Sequence, residues 1–102
     1  MSKSQTRVVV TGLGATTPLG GDLPSTWSAL LAGESGVRKL DWEGIDDLPV
    51  RFAATLKVDP SEVMPKQTLR RLDRNQAIAL IAAREAWTDA GFAPPPSRKG
   101  KK

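Results

Sequence analysis

The chain contains no cysteine and no histidine. The first absence excludes disulfides, thiolate nucleophiles and cysteine-held metals. The second excludes imidazole acid–base chemistry. A zinc or haem site would have to rest on carboxylates alone, a donor set that does not suit either group, so no metal and no cofactor is expected. Long apolar runs are also missing. The start, Met1-Ser2-Lys3-Ser4-Gln5-Thr6-Arg7, leads into only three consecutive valines. A signal peptide needs a longer apolar core, and a membrane span needs about 20 apolar residues. Cytoplasmic residence and no membrane partner are therefore expected. Excess charge is scarce outside the C-terminus. The formal net charge is +4, and Arg98, Lys99, Lys101 and Lys102 supply four positive charges at the very end. The body is nearly neutral, so the basic pI reflects the tail and no nucleic-acid partner is expected.

What remains is ordinary for a globular chain: 102 residues, 39% hydrophobic and 25% charged. That length suffices for one small domain with a modest core. Residues 7–11 (Arg-Val-Val-Val-Thr) read as a strand. A β-branched run without alternation predicts burial on both faces, as in the interior of an α/β sheet. Gly12 and Gly14 then ease the exit from the strand, and Pro18 with Gly20 keeps the connection irregular. A helix is predicted over 23–32, with Asp22 as N-cap, Pro24 in its first turn and Gly33 after its end. Leu23, Trp27, Leu30 and Leu31 form its apolar stripe, which is expected to lie on a sheet. Residues 34–49 read as an acidic, solvated loop in which Val37 begins a short extended segment and Trp42 is partly exposed. Residues 50–56 predict a second strand, with Val50, Phe52, Ala54 and Leu56 on its inward face.

Asp59-Pro60-Ser61-Glu62 predicts a turn or a single helical turn. Pro65 starts a short helix through Leu72. Asp73 and Gln76 form a capping box for the longest helix, 74–90, which Gly91 ends. Its apolar arc is wide, with Leu80, Ala83 and Trp87 on one face and Ile78 and Ile81 elsewhere beside Arg84 and Glu85. Such an arc suits a helix packed between layers. Trp27 and Trp87 are expected in the core. Thr16, Thr17, Ser25 and Ser61 have no base beside them and read as turn and cap formers, so no catalytic residue is assigned. Two segments are expected: 1–93, and a Pro-rich basic tail over 94–102.

The Gly12-x-Gly14 turn after a strand raises the possibility of dinucleotide binding. That fingerprint needs a glycine where Thr17 stands, and no acidic residue follows a second parallel strand at the required distance. The short-chain-dehydrogenase pattern needs glycines in place of Thr16 and Pro18. The glycines are better read as backbone features.

Three stretches together resemble the β-ketoacyl-acyl-carrier-protein synthases, most nearly the bacterial type II branch. They are Val8-Val9-Val10-Thr11-Gly12-Leu13-Gly14 with Thr17-Pro18-Leu19-Gly20; Ser25-Thr26-Trp27-Ser28-Ala29-Leu30-Leu31-Ala32-Gly33-Glu34-Ser35-Gly36-Val37; and Arg71-Leu72-Asp73-Arg74 with Ala77 through Asp89-Ala90-Gly91. Their order and spacing agree from about Arg7 to Phe92. The resemblance implies the N-terminal part of a thiolase-like layered α/β fold, incomplete in this chain, and a homodimeric acyltransferase of fatty-acid synthesis. It also implies a cysteine that takes an acyl group from carrier protein, with histidines that stabilise the enolate formed when malonyl-carrier protein loses carbon dioxide. No residue of this chain can fill those roles, so the chain is expected to be a truncated product, fragment or gene remnant, inactive alone and marginally stable. One functional feature carries over. Lys66, Arg70 and Arg71 align with the family's basic patch for acidic acyl-carrier protein, while Arg74 pairs within the fold. The alternatives are a non-catalytic module that binds carrier protein, and a basic tether formed by residues 94–102. The tether has no aromatic residues beside its charges.

Overall fold

The computed structural model describes residues 4–93. The expected tail over 94–102 lies outside the described residues. Helix α1 spans Leu23–Leu31. Strand β1, Arg38–Lys39, is followed by a 3-10 turn at Ile45–Asp47 and strand β2 at Phe52–Ala53. Helices α2 (Pro60–Val63), α3 (Lys66–Leu69) and α4 (Arg74–Asp89) complete the order.

The helix starts follow local hydrogen-bond chemistry. Asp22 accepts from the Ser25 amide at 2.9 Å and from the Ser25 hydroxyl at 2.5 Å, so one side chain satisfies an orphan donor of α1 and holds its own partner. Asp59 accepts from the Ser61 amide at 2.9 Å, while Glu62 reaches back to the Asp59 amide at 2.8 Å. Gln76 closes the entrance to α4 by accepting from the Asp73 amide at 2.9 Å. Helix ends are equally local. Gly33 and Gly91 follow α1 and α4 at φ +72° and +88°, in the left-handed region where a Cβ is costly.

These caps carry a pH signature. The hydroxyl and amide of Ser25 hold the Asp22 carboxyl below its ordinary pKa. The Ser61 backbone and side chain, with Arg74 further off, do the same for Asp59. A carboxyl whose folded pKa is depressed contributes stability above its unfolded pKa and loses it as pH falls through the folded value. Helical circular dichroism is therefore expected to hold steady from neutral pH to about 4.5 and to decline below about 4. Asp22→Asn/Asp59→Asn should flatten that decline. An unchanged acid profile in this variant would remove the caps as its cause.

The sheet departs from the sequence reading. Residues 7–11 form no ladder, and Val8, Val9 and Val10 are 92, 72 and 77% exposed rather than buried on both faces. A strand buried on both faces needs neighbours in a sheet and packed layers above and below it. Here the sheet is the antiparallel β1–β2 pair, registered Arg38 to Ala53 and Lys39 to Phe52. The short extended segment after Val37 forms as expected, but the second strand is two residues long instead of seven. Its parity also differs. Ala53 is half-buried, and Phe52 is 62% exposed. The pairing places Ala53 beside Arg38, whose guanidinium turns back to the carbonyls of Thr55 and Pro18. That face therefore packs a cation and a small residue, not an aromatic ring.

The core is thin. Among the described residues Ala29, Ile45, Met64 and Ala77 form the buried hydrophobic core, Pro60 is buried at the start of α2, and no large side chain is fully buried. The stripe on α1 lies on no sheet, for Trp27 is 56% exposed and Leu30 and Leu31 are exposed as well. Trp87 is also exposed, at 46%, and stacks on Phe92 with ring centroids 4.7 Å apart. Both tryptophans thus lie outside the core, because nothing described packs over those helix faces. Trp42 is exposed as expected.

Candidate functional site

The residues singled out in the sequence fall into two groups on different elements. Gly12 and Gly14 run along α4 at its alanine stripe. A Cβ on Gly12 would overlap the Ala86 carbonyl oxygen and lie 2.6 Å from the Ala90 nitrogen. A Cβ on Gly14 would overlap the Ala82 carbonyl oxygen and lie 2.8 Å from the Ala86 nitrogen. Neither glycine has a positive φ, so they permit a close approach of chain to helix rather than a special backbone conformation.

Pro18 and Gly20 do sit in a turn. Within it the Thr17 amide donates to the Gly20 carbonyl at 2.8 Å. The Thr17 hydroxyl accepts from the Leu19 and Gly20 amides at 3.1 and 3.3 Å and lies 3.0 Å from the Thr26 hydroxyl. Thr17 and Ser25 are therefore a turn former and a cap, as their surroundings in the sequence suggest.

Two carboxylates that the sequence reading did not single out fasten the glycine segment. Glu85 accepts from the Ala15 amide at 2.8 Å and, through both oxygens, from the Leu23 amide at 3.1 and 3.0 Å. Leu23 opens α1, so a side chain of α4 caps α1 from a distance of 62 residues in sequence. Asp89, one turn beyond Glu85, accepts from the Leu13 amide at 3.0 Å. Amides 13 and 15 thus point at carboxylates, while the alternate residues 12 and 14 lie against alanines. The available signal was two acids four residues apart along one edge of Ala82, Ala86 and Ala90, a set of small residues at helical spacing.

The second group is basic. Lys66 is the first residue of α3, Arg70 is its C-cap four positions later, and Arg71 follows directly. The helical repeat puts Lys66 and Arg70 on one face. All three are exposed, and among the described residues none forms a salt bridge. Arg74 is different, since its guanidinium lies 3.8 Å from Asp59, linking α4 to the cap of α2. A concavity opens beside the basic row, lined by Gln67, Thr68, Arg71, Leu72 and Leu80. Leu80 and Ala82 are two residues apart, about 200° around the helix. The concavity and the glycine segment therefore occupy opposite sides of α4.

Among the described residues no group of three or more acidic residues is placed to hold a metal ion, and no helix is long and apolar enough to cross a membrane. The arrangement offers no nucleophile–base pair. It offers a row of cations at and just after a short helix, none of them in a salt bridge among the described residues.

The chain belongs to the β-ketoacyl synthase family: residues 5–101 match the model of the β-ketoacyl synthase N-terminal domain. Among its relatives is the 3-oxoacyl-[acyl-carrier-protein] synthase 2 of Coxiella burnetii, 40% identical over 87 residues, or 84% of this chain and 21% of the relative. The synthase 2 of Staphylococcus aureus strain COL is 39% identical over 85 residues, covering 82% of this chain and 20% of the relative. That of Vibrio cholerae is 36% identical over 90 residues, covering 87% and 22%. The chain thus spans about a fifth of the length of the curated relatives it matches.

Proposed function

We propose that this chain is the N-terminal portion of a type II 3-oxoacyl-acyl-carrier-protein synthase with a thiolase-like layered fold. Intact, such an enzyme joins an acyl thioester to malonyl-carrier protein with loss of carbon dioxide, as a cytoplasmic homodimer serving fatty-acid synthesis. The 102-residue sequence has no cysteine and no histidine, so it does not perform the bond-making step. Its contributions are a scaffold and a docking surface for acidic acyl-carrier protein.

The observation that carries the docking role is the exposed row of Lys66, Arg70 and Arg71, which forms no salt bridge among the described residues. Exposed cations gathered on one surface attract an acidic partner and orient its approach. Each exposed pair contributes only about 0–1 kcal/mol, so the row acts collectively and weakens with salt.

Binding of purified acyl-carrier protein to the 102-residue chain provides the test. Arg70→Glu/Arg71→Glu is expected to weaken binding about tenfold or more. Lys39→Glu, an exposed change on β1 away from the row, should leave it unaltered. A wild-type chain that shows no affinity for carrier protein at low salt would sink the docking role.

A further inference from the structure

The glycine segment crosses α4 against the direction of the helix. Gly14 lies at Ala82 and Ala86, and Gly12 lies at Ala86 and at Ala90, the C-cap. Each further step towards the N-terminus carries the chain past the end of α4, and Val8, Val9 and Val10 stand exposed. Among the described residues no backbone amide or carbonyl of 7–11 takes part in a hydrogen bond. None of these residues has a positive φ, and a β-branched run favours extended backbone. Such a run with its backbone groups unpaired is a template for another strand. The two described strands of the chain are two residues long and already pair with each other.

We infer that residues 7–11 pair antiparallel with the same residues of a second copy of this chain, Val9 facing Val9, Val8 facing Val10 and Arg7 facing Thr11. The charge pattern selects this arrangement. Arg7 is the one charge in the segment, and the antiparallel register sets it against a hydroxyl. A parallel in-register pair would set Arg7 on Arg7, and like charges directly opposite are destabilising. The valines are symmetric about Val9, so the apolar set of each copy meets that of the other on both faces. The edge is selected as well. Alternate residues of a strand turn their backbone groups to the same edge. The Leu13 and Ala15 amides face carboxylates of α4, so α4 flanks the odd-numbered edge and the even-numbered one is open. In this register Val8 and Val10 exchange hydrogen bonds with the partner, and Val9 forms the close non-hydrogen-bonded pair between them. The contact is two-fold symmetric and closes at the dimer. Three valines and a short ladder per copy make a small interface, so the dimer is weak and forms as concentration rises. This pairing does not depend on the docking role proposed above.

Sedimentation equilibrium of the 102-residue chain over a wide range of micromolar concentrations provides the test, with helical circular dichroism recorded for each variant. The wild-type chain is expected to pass from monomer to dimer and to stop there. Val10→Pro removes an amide that faces the partner, whereas Val9→Pro removes one on the other edge. Both delete one exposed valine side chain, so their difference reports the ladder. Val10→Pro is expected to weaken the dimer about tenfold or more, and Val9→Pro by clearly less. Val9→Lys puts like charges face to face at the centre and should also weaken it about tenfold. A chain that stays monomeric throughout overturns the inference, as does association that runs past the dimer without a plateau. A dimer indifferent to Val10→Pro and Val9→Lys would place the contact elsewhere on the chain, and equal losses in the two proline variants would overturn the even-numbered edge.

Discussion

Gly14→Ala is expected to be the most damaging single-methyl change in this chain, costing about 3 kcal/mol or more. The added Cβ would overlap the Ala82 carbonyl oxygen, with the Ala86 nitrogen at 2.8 Å and the Ala82 carbonyl carbon at 2.9 Å. All three are backbone atoms within α4, so no side chain can rotate aside. The segment must lift off the helix, which stretches the bonds from the Leu13 and Ala15 amides to Asp89 and Glu85. Gly33→Ala is the instructive comparison. Gly33 has φ +72° and open space where a Cβ would go. Its cost is backbone strain alone, about 1–2 kcal/mol. Urea titrations of the two variants should rank Gly14→Ala well below Gly33→Ala in midpoint. The reverse order would mean that the contact between the glycine segment and α4 does not hold in solution. The core is thin, and a loss of about 3 kcal/mol is a large part of the stability of any small domain.

The second large effect is expected at Glu85. Its carboxylate receives the Ala15 amide and, bidentately, the Leu23 amide. Hydrogen bonds to a charged acceptor are worth about 1.5–3 kcal/mol each, and removing the acceptor strands part-buried donors. Glu85→Ala should therefore cost about 2–3 kcal/mol, and Glu85→Gln less, because one oxygen still accepts. Arg84→Ala, at the exposed neighbouring position, should stay within about 0.5 kcal/mol of wild type. Amide hydrogen exchange gives a residue-level check. In Glu85→Ala the Leu23 and Ala15 amides should lose protection while the amides inside α4 keep theirs. Unchanged exchange at Leu23 would show that α1 is capped without Glu85.

The two effects share one cause. A helix stripe of small residues allows the chain to come close, and two acids one turn apart along the edge of that stripe, Glu85 and Asp89, bind the amides brought near. Neither part works alone, since a Cβ at Gly14 would hold Ala15 away from Glu85. Substitutions at Gly14 and Glu85 should accordingly be less than additive when combined.

How much was legible in the sequence follows the range of each interaction. Asp22, Pro24 and Gly33 marked both ends of α1, and Asp73, Gln76 and Gly91 marked those of α4, because caps act between residues two to four apart. The lack of cysteine and histidine could be read directly, and the motif order between Arg7 and Phe92 pointed to the β-ketoacyl synthases, the family whose N-terminal domain residues 5–101 match. Burial was not legible in this way. The same valine run that reads as a doubly buried strand stands exposed at Val8, Val9 and Val10, and Trp27 and Trp87 are exposed too. Apolar character states what a residue can bury against, while burial depends on what is placed opposite. Nor could the sequence show that Gly12 and Gly14 serve an approach to α4, that Arg38 sets the parity of β2, or that Glu85 caps a helix 62 residues away. Those depend on which segments meet, and only the tertiary structure decides that.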